Sequence, residues 1–303
     1  MATSDSFTKE TFNVAGLLVH VWSDGGVQAL STKEVAAMIL IHGRKESTAD
    51  PAFERTARAV FEWARQPEQR RHAQRDIVVI MFDLRNHGHR VVDPHMNELW
   101  SKNPEHHNPT HAIDLYGTMI GTARDVSFVI DFLPSYLFPN GEHTIAEWAA
   151  AGTSLGAHIV WFVLKEEPRV RTGIAVMGSP DNIAMMHAVG AVARVPIAPP
   201  HVPDALLALM RRLEPGAADH RARSAANPYF GKRVLVVVAE QDVFVPWGMY
   251  GAFVEALEVG PGGRKEVVRE PGKHVYTDEM MCAVVRFFWE ECVVVKGPGK
   301  AAL

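Results

Sequence analysis

The chain has 303 residues, is 47% hydrophobic and carries a formal net charge of −4, with acids and bases interspersed. That is enough apolar material for one large core, while neither a basic surface for nucleic acid nor a block of like charge is present. Two cysteines, Cys282 and Cys292, are too few for a disulfide framework and point to a reducing compartment.

The opening MATSDSFTKETFNVAG lacks an apolar h-region, so no secretory signal is expected. The longest apolar runs, DIVVIMFDL and RVLVVVAE, are too short to span a bilayer. A soluble, cytoplasmic protein is the expectation, with the final KGPGKAAL a frayed tail.

In chain order, the first strand candidate is Phe12–Trp22, whose polar alternation suits an antiparallel edge. Val35–Ile41 follows, then a helical pattern over Pro51–Arg65, then a strand at Ile77–Phe82. A long helix is read over His111–Leu133, a strand at Trp148–Gly152 and a helix at Leu155–Lys165. The remaining strands are Thr172–Met177, Val234–Ala239 and Lys265–Val268, and the remaining helices Gly248–Leu257 and Thr277–Glu291. Several of these strands show no polar alternation, as strands buried on both faces do. Strand and helix in alternation imply βαβ units and a doubly wound, mostly parallel α/β sheet, here expected to have eight strands.

The rhythm breaks once. From SPDNIAMMHAVG to AANPYFGKR, no strand is evident in an Ala-, Met- and Pro-rich stretch. A connection this long is expected to be a helical cap inserted after the sixth strand. The chain then divides into a first core part (1–180), a cap (181–230) and a second core part (231–303). Met185 and Met186 in the cap are candidates to face an apolar substrate, although most of its Met and Leu side chains suit helix packing equally.

Within EWAAAGTSLGAHIVWF a strand-like run enters Gly152 and a helix-like run leaves Gly156. G-x-S-x-G in that setting is a nucleophile-elbow arrangement, which lifts the hydroxyl of Ser154 above the sheet. A serine hydroxyl needs a base, and the base an orienting acid. In this architecture the acid and then the histidine follow in the chain. VLVVVAEQDVFVPW offers Asp242, with Glu240 nearer the strand end; Asp181 in MGSPDN is the competing position. VVREPGKHVYTDEM offers His274, the only histidine after His220. The oxyanion donors expected are the Leu155 N–H and the Arg44 N–H, the latter in the loop of ILIHGRKES. His42 in that loop reads as a support rather than a reactant.

These signals, ILIHG, GTSLG and the Asp242/His274 pair, together resemble the α/β-hydrolase superfamily across nearly the whole chain. FDLRNHGHR and GTARDVSFVIDFLP fit the same resemblance. DLRNHG, TSLGAH, GSPD and NPYFGKRVLVVVAEQDVFVPW look closer to fungal hydrolases with a prolyl-oligopeptidase-like or dienelactone-hydrolase-like core. The resemblance implies a serine hydrolase, or a relative recruited to a tailoring step in secondary metabolism. It implies no substrate. The chain departs from the pattern at Ala157, where relatives often carry glycine, and at Lys273, which stands beside His274 and is positioned to crowd it.

Six histidines fall between His87 and His111: these two with His89, His95, His106 and His107. Their spacing matches no compact ligand pattern, so no metal is expected; nor is a cofactor. Trp100 in the same segment is a candidate apolar wall for the substrate. The expected partner is a small-molecule substrate of an ester, thioester or lactone type, with no nucleic acid and no membrane, and a homodimer stays open. A silent binding protein on the same scaffold is the reading of another class.

Overall fold

The computed structural model describes residues 7–295. The KGPGKAAL tail and the first six residues lie outside them.

The N-terminal edge differs from expectation. The single strand expected at Phe12–Trp22 is two, β1 (Phe7–Val14) and β2 (Leu17–Asp24), paired antiparallel from Phe7↔Asp24 to Val14↔Leu17. The turn is Ala15–Gly16, both at positive φ (48° and 93°). Two consecutive positive φ values form the tight hairpin turn that matches strand twist. Alternation runs straight through the turn in FNVAGLLVHVW, so nothing in the hydrophobic pattern marks it.

β3 (Glu34–Ile41) leads to α1 (Pro51–Arg65), which Asp50 caps by accepting the Ala52 N–H and which starts with proline. After the short α2 (Pro67–Arg70) come β4 (Asp76–Met81) and α3 (His111–Leu137). β5 (Thr144–Thr153) runs into α4 (Leu155–Glu166), followed by β6 (Val170–Val176). The segment after β6 forms α5 (Asn182–Ala193) and α6 (Asp204–Leu213), with no strand. β7 (Arg233–Ala239), α7 (Trp247–Ala256), β8 (Arg264–Glu270) and α8 (Asp278–Phe288) complete the order.

The eight strands form one sheet in the order β1-β2-β4-β3-β5-β6-β7-β8, parallel from β4 to β8. Its two faces are covered separately. In β3, Val35, Ala37, Ile39 and Ile41 join the core with α3 and α4, while Ala36, Met38 and Leu40 join the core with α1 and α8. The period-2 alternation of a strand thus feeds two apolar layers, which is why the strand sequence itself is continuously apolar. This is the α/β-hydrolase fold. No described helix is long and apolar enough to cross a membrane.

The consequence for the site is positional. β3, β5, β7 and β8 run parallel, so the loops that follow them emerge at one edge of the sheet.

Candidate active site

The elbow is built by steric exclusion. Ser154 stands between β5 and α4 at φ 50°, ψ −116°, a conformation that costs a non-glycine residue about 1–3 kcal/mol. It is held from both sides. Its N–H donates to the Val176 carbonyl at 2.9 Å, and its carbonyl accepts from Ala157 and His158 at 2.9 and 3.2 Å. The flanking glycines have no room for a side chain. A Cβ on Gly152 would lie 2.4 Å from the Gly156 carbonyl, and one on Gly156 would lie 2.1 Å from the Ile41 oxygen. Ala157 is accommodated by the end of the neighbouring strand β6, because Gly178 leaves its methyl free: a Cβ on Gly178 would fall 2.3 Å from that of Ala157.

Ser154 Oγ lies 2.8 Å from His274 Nε2, and His274 Nδ1 lies 2.6 Å from Asp242 Oδ2. Asp242 is buried, and its second oxygen accepts the N–H groups of Phe244 and Val245 at 2.8 and 3.0 Å. With one carboxylate oxygen committed to the backbone, the other is aimed at Nδ1. The Nδ1 proton is thereby assigned, and Nε2 is left to accept from the serine. Lys273 is exposed and does not displace His274 from either partner. Of the alternative acids, Asp181 caps α5 through the Ala184 N–H, and Glu240 is exposed.

The loop after β3 sits beside the elbow. Leu155 is the first residue of α4, so its N–H has no intrahelical acceptor. Leu155 and Arg44 both border the cavity at Ser154. His42 is buried behind them: Leu84 donates to its Nε2 at 3.1 Å, so Nδ1 carries the proton and donates to the Gly43 carbonyl at 2.8 Å. Burial pulls its pKa down to about 4, which keeps it neutral. Glu46 accepts the Gly43 N–H at 2.6 Å, and burial raises its pKa. The Arg44 side chain is turned to the Asn97 carbonyl at 2.7 Å.

A cavity of about 320 Å³ opens over Ser154. Met185 and Met186 line it. Trp100 does not. It is buried behind His111, with ring centroids 5.2 Å apart, and fills the space over Gly190, so it supports the wall instead of forming it. Of the 87–111 histidines, His111 borders the cavity, and so do residues not singled out from sequence: Glu46, Tyr116, His158, Asn182, Phe244 and Tyr276. Of these, His158 had a legible signal, since it follows Ser154 by four residues and therefore shares its helix face.

Of the other five histidines of the 87–111 segment, His106 is exposed and four are held singly. His87 bonds the Arg85 carbonyl, His89 the Asp83 carboxylate, His95 the His107 carbonyl and His107 the Ser101 backbone. Among the described residues, no three His, Cys, Asp or Glu side chains come together as a metal site. Cys282 is exposed, Cys292 buried, and they are not bonded to each other.

A hydroxyl joined to an imidazole and a fixed carboxylate is suited to nucleophilic attack on a carbonyl carbon. Solved structures carry the same fold at low sequence identity. TT1662 from Thermus thermophilus is 19% identical with a TM-score of 0.62, over 94% of this chain and 99% of that one. A cold-adapted esterase from an Arctic intertidal metagenomic library is 16% identical with a TM-score of 0.57, over 96% of both chains. Acetyl xylan esterase 1 from Thermoanaerobacterium sp. JW/SL YS485 is 12% identical with a TM-score of 0.59, over 95% of this chain and 84% of that one. No protein-family model and no curated protein matches the chain.

Proposed function

We propose that the protein is a serine hydrolase that cleaves an ester, thioester or lactone of a largely apolar small molecule through an acyl-enzyme. One observation carries this reading: the Ser154–His274–Asp242 chain at 2.8 and 2.6 Å, assembled from three loops at one sheet edge.

In the proposed cycle Ser154 Oγ attacks the carbonyl carbon as its proton passes to His274 Nε2. Asp242 holds the imidazole and stabilises the imidazolium. The N–H groups of Leu155 and Arg44 receive the oxyanion. His274 then protonates the leaving group, and water, activated by the same nitrogen, releases the acyl group from Ser154. Residues 181–230, with α5 and α6, act as a cap whose Met185, Met186 and Met210 shape the acyl pocket. The closer likeness to fungal prolyl-oligopeptidase-like hydrolases rests on the motifs quoted above and stays part of this proposal.

The test is covalent labelling with a fluorophosphonate probe alongside turnover of simple p-nitrophenyl esters. Both are expected in the unaltered chain and both are lost in Ser154→Ala. Full esterase activity in that variant would sink the reading.

A further inference from the structure

The two loops that complete the triad also carry an apolar surface that faces solvent. The loop after β7 presents Val243 and Phe244, 81% and 65% exposed, and the loop after β8 presents Val275, 62% exposed. Scattered exposed apolar residues are ordinary. These three are grouped: each lies within two residues of Asp242 or His274, and the hydrogen bond between that pair, at 2.6 Å, joins the loops.

Phe244 stands out from a fixed backbone. Asp242 Oδ1 accepts its N–H at 2.8 Å and that of Val245 at 3.0 Å, and Val245 is buried. The Phe244 ring meets the His274 imidazole edge-on, with centroids 5.6 Å apart and planes at 73°, and it borders the cavity over Ser154. The rest of its surface is open.

The chemistry brings a substrate group to this point. A departing alcohol oxygen takes its proton from His274 Nε2, so it lies within hydrogen-bond reach of that nitrogen. Whatever is bonded to that oxygen lies beside the imidazole. Inward, Met119, Met186 and Met210 close the cavity from α3, α5 and α6. Outward, the way past Phe244 is open. The acyl group stays on Ser154 until water arrives, whereas the alcohol departs first and yields its place at Nε2 to that water. The outward path allows this without moving the cap.

We infer that Phe244, with Val243 and Val275 beyond it, is the leaving-group subsite, and that the alcohol or thiol released is apolar and large enough to cover the Phe244 ring. The inference rests on the acyl-enzyme reading above. An apolar leaving group takes the ring and itself out of water together. A charged or strongly hydrated one leaves the ring wet, and a methyl or ethyl group is too short to reach it.

The test uses esters of a single acid, so that every substrate forms the same acyl-enzyme and kcat/KM reads acylation alone. Propyl and 3-phenylpropyl butanoate release alcohols of closely similar acidity. The 3-phenylpropyl ester is expected to exceed the propyl ester by about tenfold or more in kcat/KM. That ratio is expected to fall at least about threefold in Phe244→Ala, while Phe244→Leu, which keeps an apolar side chain, retains most of it. The reverse direction reads the same surface. An added alcohol attacks the butanoyl carbon as its proton passes to His274 Nε2; the bond to Ser154 Oγ breaks, and the serine regains that proton. At equal concentration, 3-phenylpropanol is expected to divert more butanoyl group into ester than propanol does, and to lose that advantage in Phe244→Ala.

Cleavage of both esters without preference overturns the subsite and leaves the hydrolase reading standing. A preference unchanged in Phe244→Ala overturns the assignment to this surface. So does a Phe244→Ala variant whose selectivity shifts among p-nitrophenyl esters of different acids and not among alcohols, since Phe244 then meets the acyl group. Absence of both labelling and turnover in the unaltered chain overturns the hydrolase reading and the subsite with it.

Discussion

A methyl group on Gly156 would come within 2.1 Å of the Ile41 carbonyl oxygen and 2.8 Å of that of His42. The first turn of α4 therefore rests directly on the end of β3, with no side chain between. This contact sets the distance between the two backbone segments that carry the Leu155 and Arg44 amides. Gly156→Ala must push them apart, because the atoms it meets are backbone. We expect a loss of about 3 kcal/mol or more in stability, at the upper end of overpacking costs, read as a lowered Tm. The soluble fraction should lose at least tenfold in kcat, because the proposed oxyanion donors no longer converge. A variant with unchanged Tm and kcat would contradict this account of the glycine.

The carboxylate of Asp242 has two separate commitments, His274 through Oδ2 and the Phe244 and Val245 amides through Oδ1. Asn in its place cannot serve both, since its amide end is a donor. Whichever way it turns, an N–H meets an N–H, or His274 takes the wrong tautomer. Asp242→Asn is expected to lower kcat by about 10⁴-fold with Tm changed little. Asp181→Asn, which still caps α5, is expected to leave kcat within about twofold. Steady-state kinetics on the two purified variants decide between the positions.

How far these features were readable depends on how local their causes are. Ser154 and Asp242 each follow a strongly apolar strand, His274 follows the short, mostly charged β8, and parallel strands deliver their C-terminal loops to one edge whatever the rest of the chain does. The elbow glycines carry their own steric reason. By contrast, the Ala15–Gly16 turn interrupts neither the alternation nor the composition, so two strands read as one. Trp100 looked like a cavity wall because an aromatic in a Pro- and His-rich loop has no local partner; its partner, His111, is supplied by packing. Tyr116, His158 and Asn182 lie on helices, and a helix pattern shows which face is apolar without showing which part of that face meets a cavity.

Three buried imidazoles make the fold sensitive to acid. Burial lowers the pKa of His42, His111 and His158 to about 4 in each case. The unfolded chain binds protons at these positions from about pH 6.5 downward, the folded chain only near pH 4. Between those values the unfolded state holds more protons, so stability falls as the pH drops from 6.5 to 4. At about 1.36 kcal/mol per pH unit each imidazole contributes roughly 3 kcal/mol at most. Glu214 acts in the opposite sense. Its pKa is raised to about 7, so the folded chain keeps that proton longer and stability is lost as pH rises from about 4.5 to 7. Thermal unfolding from pH 4 to 8 should therefore show a steep acid limb below pH 6.5. Glu214→Gln should gain Tm relative to the unaltered chain at pH 8 and not at pH 5. A Tm difference that does not vary with pH would mean that Glu214 does not titrate in this range.

Glu46 closes the turn that presents Arg44. Its Oε2 accepts the Gly43 N–H at 2.6 Å, one residue before the proposed oxyanion donor, while the Arg44 side chain is tied back to Asn97. The carboxylate borders the cavity, yet it has no place in the proton relay, so its expected part is to position the loop. Removing it frees the Gly43 amide and lets the Arg44 amide wander, which weakens transition-state binding more than ground-state binding. Glu46→Ala is therefore expected to lower kcat about tenfold with KM nearly unchanged. Glu46→Gln retains a carbonyl oxygen as acceptor and should recover most of that loss. A reactant role predicts a different pattern: Gln would then be as damaging as Ala, and the pH–rate profile would lose a limb. Measuring kcat and KM for both variants across pH 5–9 separates a group that holds the loop from one that moves a proton.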